Sequence, residues 1–163
     1  MQAINTIIIK KFYTVQELSR YADDHGTALI EQTIPEMMLA LYNKNETQAE
    51  HLLDTCMQDI LEYALSYNDS DDFYHCAEHG AKVTQDMITS FQQALTALEP
   101  LIQQACMLQG KQHIRKSTEA YNLIISLTVA LNKNKQELFD HLINQAQQDI
   151  EKMLRKEARG IIE

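Results

Sequence analysis

The chain of 163 residues has 45% hydrophobic side chains and a formal charge of −9. That content suffices for one substantial core and is short for two independent ones, so a single domain over residues 1–163 is expected. The acidic balance disfavours nucleic acid and anionic membrane as partners, because both are held by Lys and Arg.

The charge is unevenly spread. Residues 21–80 hold thirteen of the twenty-three acidic side chains against one basic residue, Lys44, whereas both flanks are close to neutral. The three cysteines, Cys56, Cys76 and Cys106, form no CxxC pair and read as reduced thiols of a cytoplasmic protein. Two prolines and four glycines leave a composition rich in good helix formers, so the expected class is all-α.

In chain order, residues 1–12 form a flexible or packed N-terminal arm, in which Ile7–Ile9 suit an arm, a first helical turn or a lone strand. No targeting segment is expected, since Lys10 and Lys11 follow that apolar run. From Val15 the positions Leu18, Tyr21, Ala22 and Leu29 make one helical stripe, weakened or bent at Gly26. Thr33-Ile34-Pro35-Glu36 predicts a fresh helix start, with a Thr cap and a first-turn proline. Asn45 is the expected cap of the clearest helix, whose stripe is Ala49, Leu52, Leu53, Cys56, Met57, Ile60, Leu61, Ala64 and Leu65.

The polar run 67–72 ends that helix. The stripe from Phe73 to Leu108 then predicts one long helix kinked near Pro100, or a second helix starting there, with Gly110 as the stop. Residues 121–131 are too apolar for a helix with a solvated face, which predicts a central position or a homodimer contact through Tyr121–Leu131. Asn134–Glu137 should cap the last helix, which runs on to Leu154 and ends in Lys152, Arg155, Lys156 and Arg159. The sum is an up-down antiparallel bundle of five or six helices, with no internal repeat of 20–50 residues.

On the clearest helix Glu46, Glu50, Asp54, Gln58 and Glu62 stand four apart, with Asp59 on the other flank. Like charges at this spacing repel by about 0.2–0.5 kcal/mol per pair, and no lysine on the helix relieves them. With Asp69, Asp71 and Asp72 in the following loop, the expected contact surface for a basic protein is Glu46, Glu50, Asp54, Asp59, Glu62, Asp69, Asp71 and Asp72. A chaperone, adaptor, immunity protein or inhibitor of a nucleic-acid-binding protein would all carry such a surface. A solvated face kept soluble by its charge accounts for the same pattern.

Six histidines raise a metal alternative. His51, His75, His79 and His141 lie opposite their helices' apolar residues, His113 follows Gly110, and His25 sits on a stripe as a core histidine. His75 and His79 form an HxxxH pair that resembles that of hemerythrin-type proteins, without the HxxxE or HxxxxD spacings that complete their site. Arg20 and His25 resemble the Arg-x4–6-His pattern of HEPN ribonucleases, which implies a phosphodiester cleft, beside an acidic block that repels RNA. Thr33–Tyr42 resembles the opening of flagellar export chaperones, and Tyr13–Ala22 the first helix of helix-turn-helix regulators; neither resemblance continues downstream. No catalytic residue, metal ligand or cofactor is assigned.

Overall fold

The computed structural model describes residues 4–68, 70–108 and 110–160, with the side chains of 111–118 outside the description. Every regular element is a helix, and no strand occurs, among the described residues. Seven helices are described, so the expected five or six is short. They divide into two compact units, 1–88 and 89–163.

The first unit opens with α1 (Thr6–Ser19), capped by the Asn5 side chain, which accepts from the Ile7 N–H. Ile8, Ile9, Phe12, Val15 and Leu18 are all buried, so Ile7–Ile9 are a first helical turn. α1 stops at Ser19, and α2 (Asp23–Tyr42) begins well before the expected start at Thr33. Pro35 lies inside α2. A helix already propagating can lose one backbone donor when its apolar face is paid for by packing; here Ile30, Ile34, Met37, Met38 and Leu41 are buried on both sides of the proline.

Gly26 is buried in the first turn of α2, and the break in the chain falls ahead of it, at residues 20–22. A Cβ on Gly26 would lie 2.5 Å from the Ser19 carbonyl oxygen, so glycine is what lets the start of α2 pass the end of α1.

Asn45 caps α3 (Glu46–Ala64) as expected, accepting from the Gln48 N–H, and Ala49, Leu53, Cys56, Ile60 and Ala64 are buried on one face. α3 packs closely against both α1 and α2. Its end is tied down by Asn68, whose side-chain amide donates to the carbonyls of Tyr21 and Ala64 at 2.7 and 3.1 Å.

Ser70 caps α4 (Asp71–His79), accepting from the Phe73 N–H. The expected long helix from Phe73 breaks at Gly80, whose φ of +80° favours glycine. Ala81 then donates its N–H to the Thr14 hydroxyl at 2.9 Å, and that hydroxyl donates to the Lys10 carbonyl at 2.8 Å. The apolar phase crosses this break, which is why one stripe spans two helices. α5 (Gln85–Ala105) runs through Pro100 without interruption, and the division between the units falls within it, after Ile88. Near its start the Met87 carbonyl accepts from the Tyr13 hydroxyl at 3.0 Å.

In the second unit α5 ends at Ala105, ahead of Gly110, which begins α6 (Gly110–Asn132) where a stop was expected. Tyr121, Ile124, Leu127, Thr128 and Ala130 are buried, yet Ser126 and Val129 are exposed. α6 therefore packs one face into the unit and leaves Ser126 and Val129 on the other. α7 (Gln136–Ala158) packs against α6. Lys135 occupies its N-cap position with no side-chain bond, and Asn134 is left-handed at φ 57°, so the expected Asn cap is absent.

The second unit repeats the pattern of the first at one constant offset. Ile34, Ala40, Leu41, His51, Leu52, Gln58, Asp59 and Ile60 recur as Ile124, Ala130, Leu131, His141, Leu142, Gln148, Asp149 and Ile150. The turns agree as well: Asn45 N–H bonds the Ala40 carbonyl and Lys135 N–H the Ala130 carbonyl, both at 2.8 Å, with Lys44 and Asn134 left-handed. The core follows, with Ile8, Phe12, Val15 and Leu18 buried in one unit and Leu98, Ile102, Ala105 and Leu108 in the other. The chain thus contains one three-helix pattern twice, α1–α3 and α5–α7. This period exceeds the short repeats weighed in the sequence.

Candidate functional site: the acidic and aromatic end of the first unit

The acidic row on α3 splits into two environments. Glu46, Glu50 and Asp54 lie on the flank facing α1 and are partly buried. Lys11 of α1 reaches Asp54 at 2.7 Å and Glu50 at 3.2 Å, and the Asn5 N–H donates to Glu46 at 3.3 Å. Burial opposes the Lys11 charge, but hydrogen bonds to Asp54 and Glu50 and their fields outweigh it, so its pKa is raised. The lysine that α3 lacks is supplied by α1, and these three carboxylates are engaged within the chain.

The other members face outward. Asp59, Glu62, Asp71 and Asp72 are exposed, while Asp69 lies outside the described residues. Asp59 sits on the α2 flank near Cys56, whose pKa is raised by burial, with a Thr33 hydrogen bond opposing and the Asp59 charge adding.

Among these carboxylates stand aromatic rings that sequence reasoning missed. His25 of α2 stacks on Tyr63 of α3 with centroids 4.5 Å apart, and Tyr63 meets Tyr67 at 5.2 Å. Tyr67 is 74% exposed, and Tyr63 and Tyr74 are exposed as well. Tyr74 donates to the Asn68 carbonyl at 3.4 Å and contacts Phe73, which in turn meets Tyr21. Three open rings, Tyr63, Tyr67 and Tyr74, thus lie along the end of α3 and the start of α4, the same stretch of chain that carries Asp59, Glu62, Asp71 and Asp72. The available signal was Tyr67 following Tyr63 by four residues, just beyond the last buried stripe position.

His25 is exposed, which corrects the expected core position: α2 starts at Asp23, so His25 falls in its first turn and on its open side. Arg20, the C-cap of α1, is also exposed. His51, His75, His79 and His141 are exposed as expected, and the side chain of His113 lies outside the description. The His75 and His79 rings stand 4.8 Å apart, and His79 approaches Glu78 at 3.7 Å. No group of three His, Cys, Asp or Glu side chains placed to hold a metal ion occurs among the described residues.

Cys56 and Cys76 are buried and Cys106 is exposed, all three as free thiols. Burial, then the charge of Glu17 and a hydrogen bond with it, push the Cys76 thiol up to about 11. It is therefore a poor nucleophile near neutral pH. Among the described residues no helix is long and apolar enough to cross a membrane. In comparison with known proteins, no family model, no curated protein and no solved structure matches the chain.

Proposed function

We propose that this all-helical chain, its helices forming an up-down antiparallel bundle, works without catalysis by binding the basic surface of another protein. The contact is assigned to the exposed end of α3 and the start of α4. The observation that carries this reading is Tyr67, 74% exposed at the outer end of a ring ladder, in a stretch of chain whose carboxylates Asp59, Glu62, Asp71 and Asp72 are all exposed. Open tyrosine faces attract guanidinium and ammonium groups, and neighbouring carboxylates add charge complementarity and faster encounter. Tyrosine is also among the residues that most often dominate binding energy at protein interfaces.

Glu46, Glu50 and Asp54 add to the field of this surface, while Lys11 holds two of them against α1. Asp69 falls between the two groups of contact residues in sequence. An adaptor, a chaperone, an immunity protein and an inhibitor that occupies the basic surface of a nucleic-acid-binding protein all use this chemistry. The proposed setting is the cytoplasm, where three free thiols remain reduced.

The test is fluorescence anisotropy with a labelled arginine-rich peptide. Tyr67→Ala should weaken binding about tenfold, within the range of an interfacial aromatic anchor. Asp59→Lys with Glu62→Lys should weaken it further, and added salt should reduce it in parallel. Equal affinity for an acidic peptide of the same length, or no response to either variant, would remove the proposal.

A further inference from the structure

The second unit carries an open face of a different kind. Between α6 and α7 lies a groove of about 420 Å³ whose apolar lining includes Leu123, Leu142, Ala146 and Ile150. Glu119 and Asp149 mark its acidic lining, and Asp149 accepts a hydrogen bond from Gln145 at 3.3 Å. Of the apolar residues of α7, only Phe139 and Ile150 are fully buried; Leu142, Ala146 and Met153 are half-buried, and Leu138 is 43% exposed.

Leu142, Ala146 and Asp149 of α7 line the groove, and Leu138 and the N-cap residue Lys135 continue the same stripe beyond it. The stripe's spacing of three, four, four and three residues is symmetric about Leu142. Two such helices related by a two-fold axis through Leu142 run antiparallel. Leu142 then meets its own copy, Leu138 enters the groove beside the partner's Ala146, and the Lys135 ammonium faces the partner's Asp149 carboxylate. An isologous contact requires this self-complementarity, large against small and plus against minus.

The first unit acts as an internal control. At the positions of Lys135 and Leu138 it has Asn45 and Gln48, and Asn45 makes the helix cap that Lys135 does not. The second unit has thus exchanged a capping side chain for a cation and a polar surface residue for an exposed leucine. Neither change serves the isolated helix; both serve the paired one.

We infer that the chain forms a two-fold homodimer through α7, with Leu142 on the axis and Lys135 paired to Asp149 across it. This face belongs to the second unit, and the inference is independent of the peptide-binding proposal. Sedimentation velocity across the micromolar range should show a dimer. Lys135→Glu and Asp149→Lys should each raise the dissociation constant at least tenfold, and the double variant should recover most of the loss. Recovery of this kind separates pairing from damage to the fold.

In a Cys106→Ser background, Leu142→Cys should form a disulfide-linked dimer under copper-catalysed air oxidation, with Asn144→Cys, on the far side of α7, as the control. A monomer throughout, a dimer indifferent to both charge variants, or stronger cross-linking of the Asn144→Cys variant than of the Leu142→Cys variant would overturn the inference. So would a groove protected from exchange only when a different protein is added.

Discussion

Lys11 on α1 stands 2.7 Å from Asp54 on α3, and the same ammonium reaches Glu50 at 3.2 Å. A row of like charges with no lysine or arginine on its own helix is thus relieved by another helix. Lys11→Met keeps much of the aliphatic stem and removes the charge. It should lower stability by about 0.5–1 kcal/mol at low salt, the range of a partly exposed pair, and less as salt rises. The pH dependence has a definite sign. A lysine whose pKa is raised on folding stabilises the native state fully below the unfolded value, and that contribution fades as pH climbs through the higher folded value. Urea titrations of the parent and Lys11→Met should therefore converge above the ordinary lysine pKa of 10.5.

Cys76 carries the same sign over a lower range of alkaline pH. Its thiol is held up to about 11 against an ordinary value of 9.0, so the unfolded chain loses this proton first. Stability should fall between those two pH values by roughly 2 kcal/mol, and the fall should be absent in Cys76→Ala. Urea midpoints at closely spaced pH values measure it. Thiol labelling at neutral pH should mark Cys106 rapidly and should reach Cys56 and Cys76 only through opening of the fold.

The Thr14 hydroxyl links α1 to the extended connection after α4 by accepting the buried Ala81 N–H. Thr14→Val keeps the shape and orphans that donor, which should cost about 1–3 kcal/mol in denaturant unfolding. Thr14→Ser keeps the hydroxyl and should cost less.

Gly26 and Gly80 should both resist alanine, for different reasons. At Gly26 the new methyl meets the Ser19 carbonyl at 2.5 Å; at Gly80 it meets Lys10 and Thr14 at 3.2 Å with φ at +80°. Gly26→Ala is expected to lower stability by about 2 kcal/mol or more, and Gly80→Ala by about 1–2 kcal/mol. Thermal melts of each variant against the parent test this.

What the sequence made legible was local. Asn45 and the stripe from Ala49 to Ala64 announce α3, because a cap and a three-four period are properties of neighbouring residues. Pro35 misleads because proline suits a first turn by its own chemistry, while the packing of Ile30 and Ile34 that carries α2 through it is tertiary. Gly80 is hidden by an apolar phase that happens to continue across it.

The candidate site shows the same limit. Its row of carboxylates is visible as spacing, but the Lys11 that engages Glu50 and Asp54 lies about forty residues away in sequence. The ring ladder from His25 through Tyr63 to Tyr67 depends on where α2 begins, which residues 20–26 do not state on their own. The repeated three-helix pattern has a period longer than the 20–50 residues of a solenoid, and it shows in the sequence only as scattered identities at one offset.

The central claim, that the α3–α4 end of the first unit receives a cationic segment of a partner, is tested most directly by amide NMR of the intact chain titrated with an arginine-rich peptide. Salt-sensitive shifts should centre on Asp59, Glu62, Tyr63, Tyr67, Asp71 and Asp72. Shifts confined to the Glu46–Asp54 flank, spread evenly over every carboxylate, or absent at saturating peptide would contradict it.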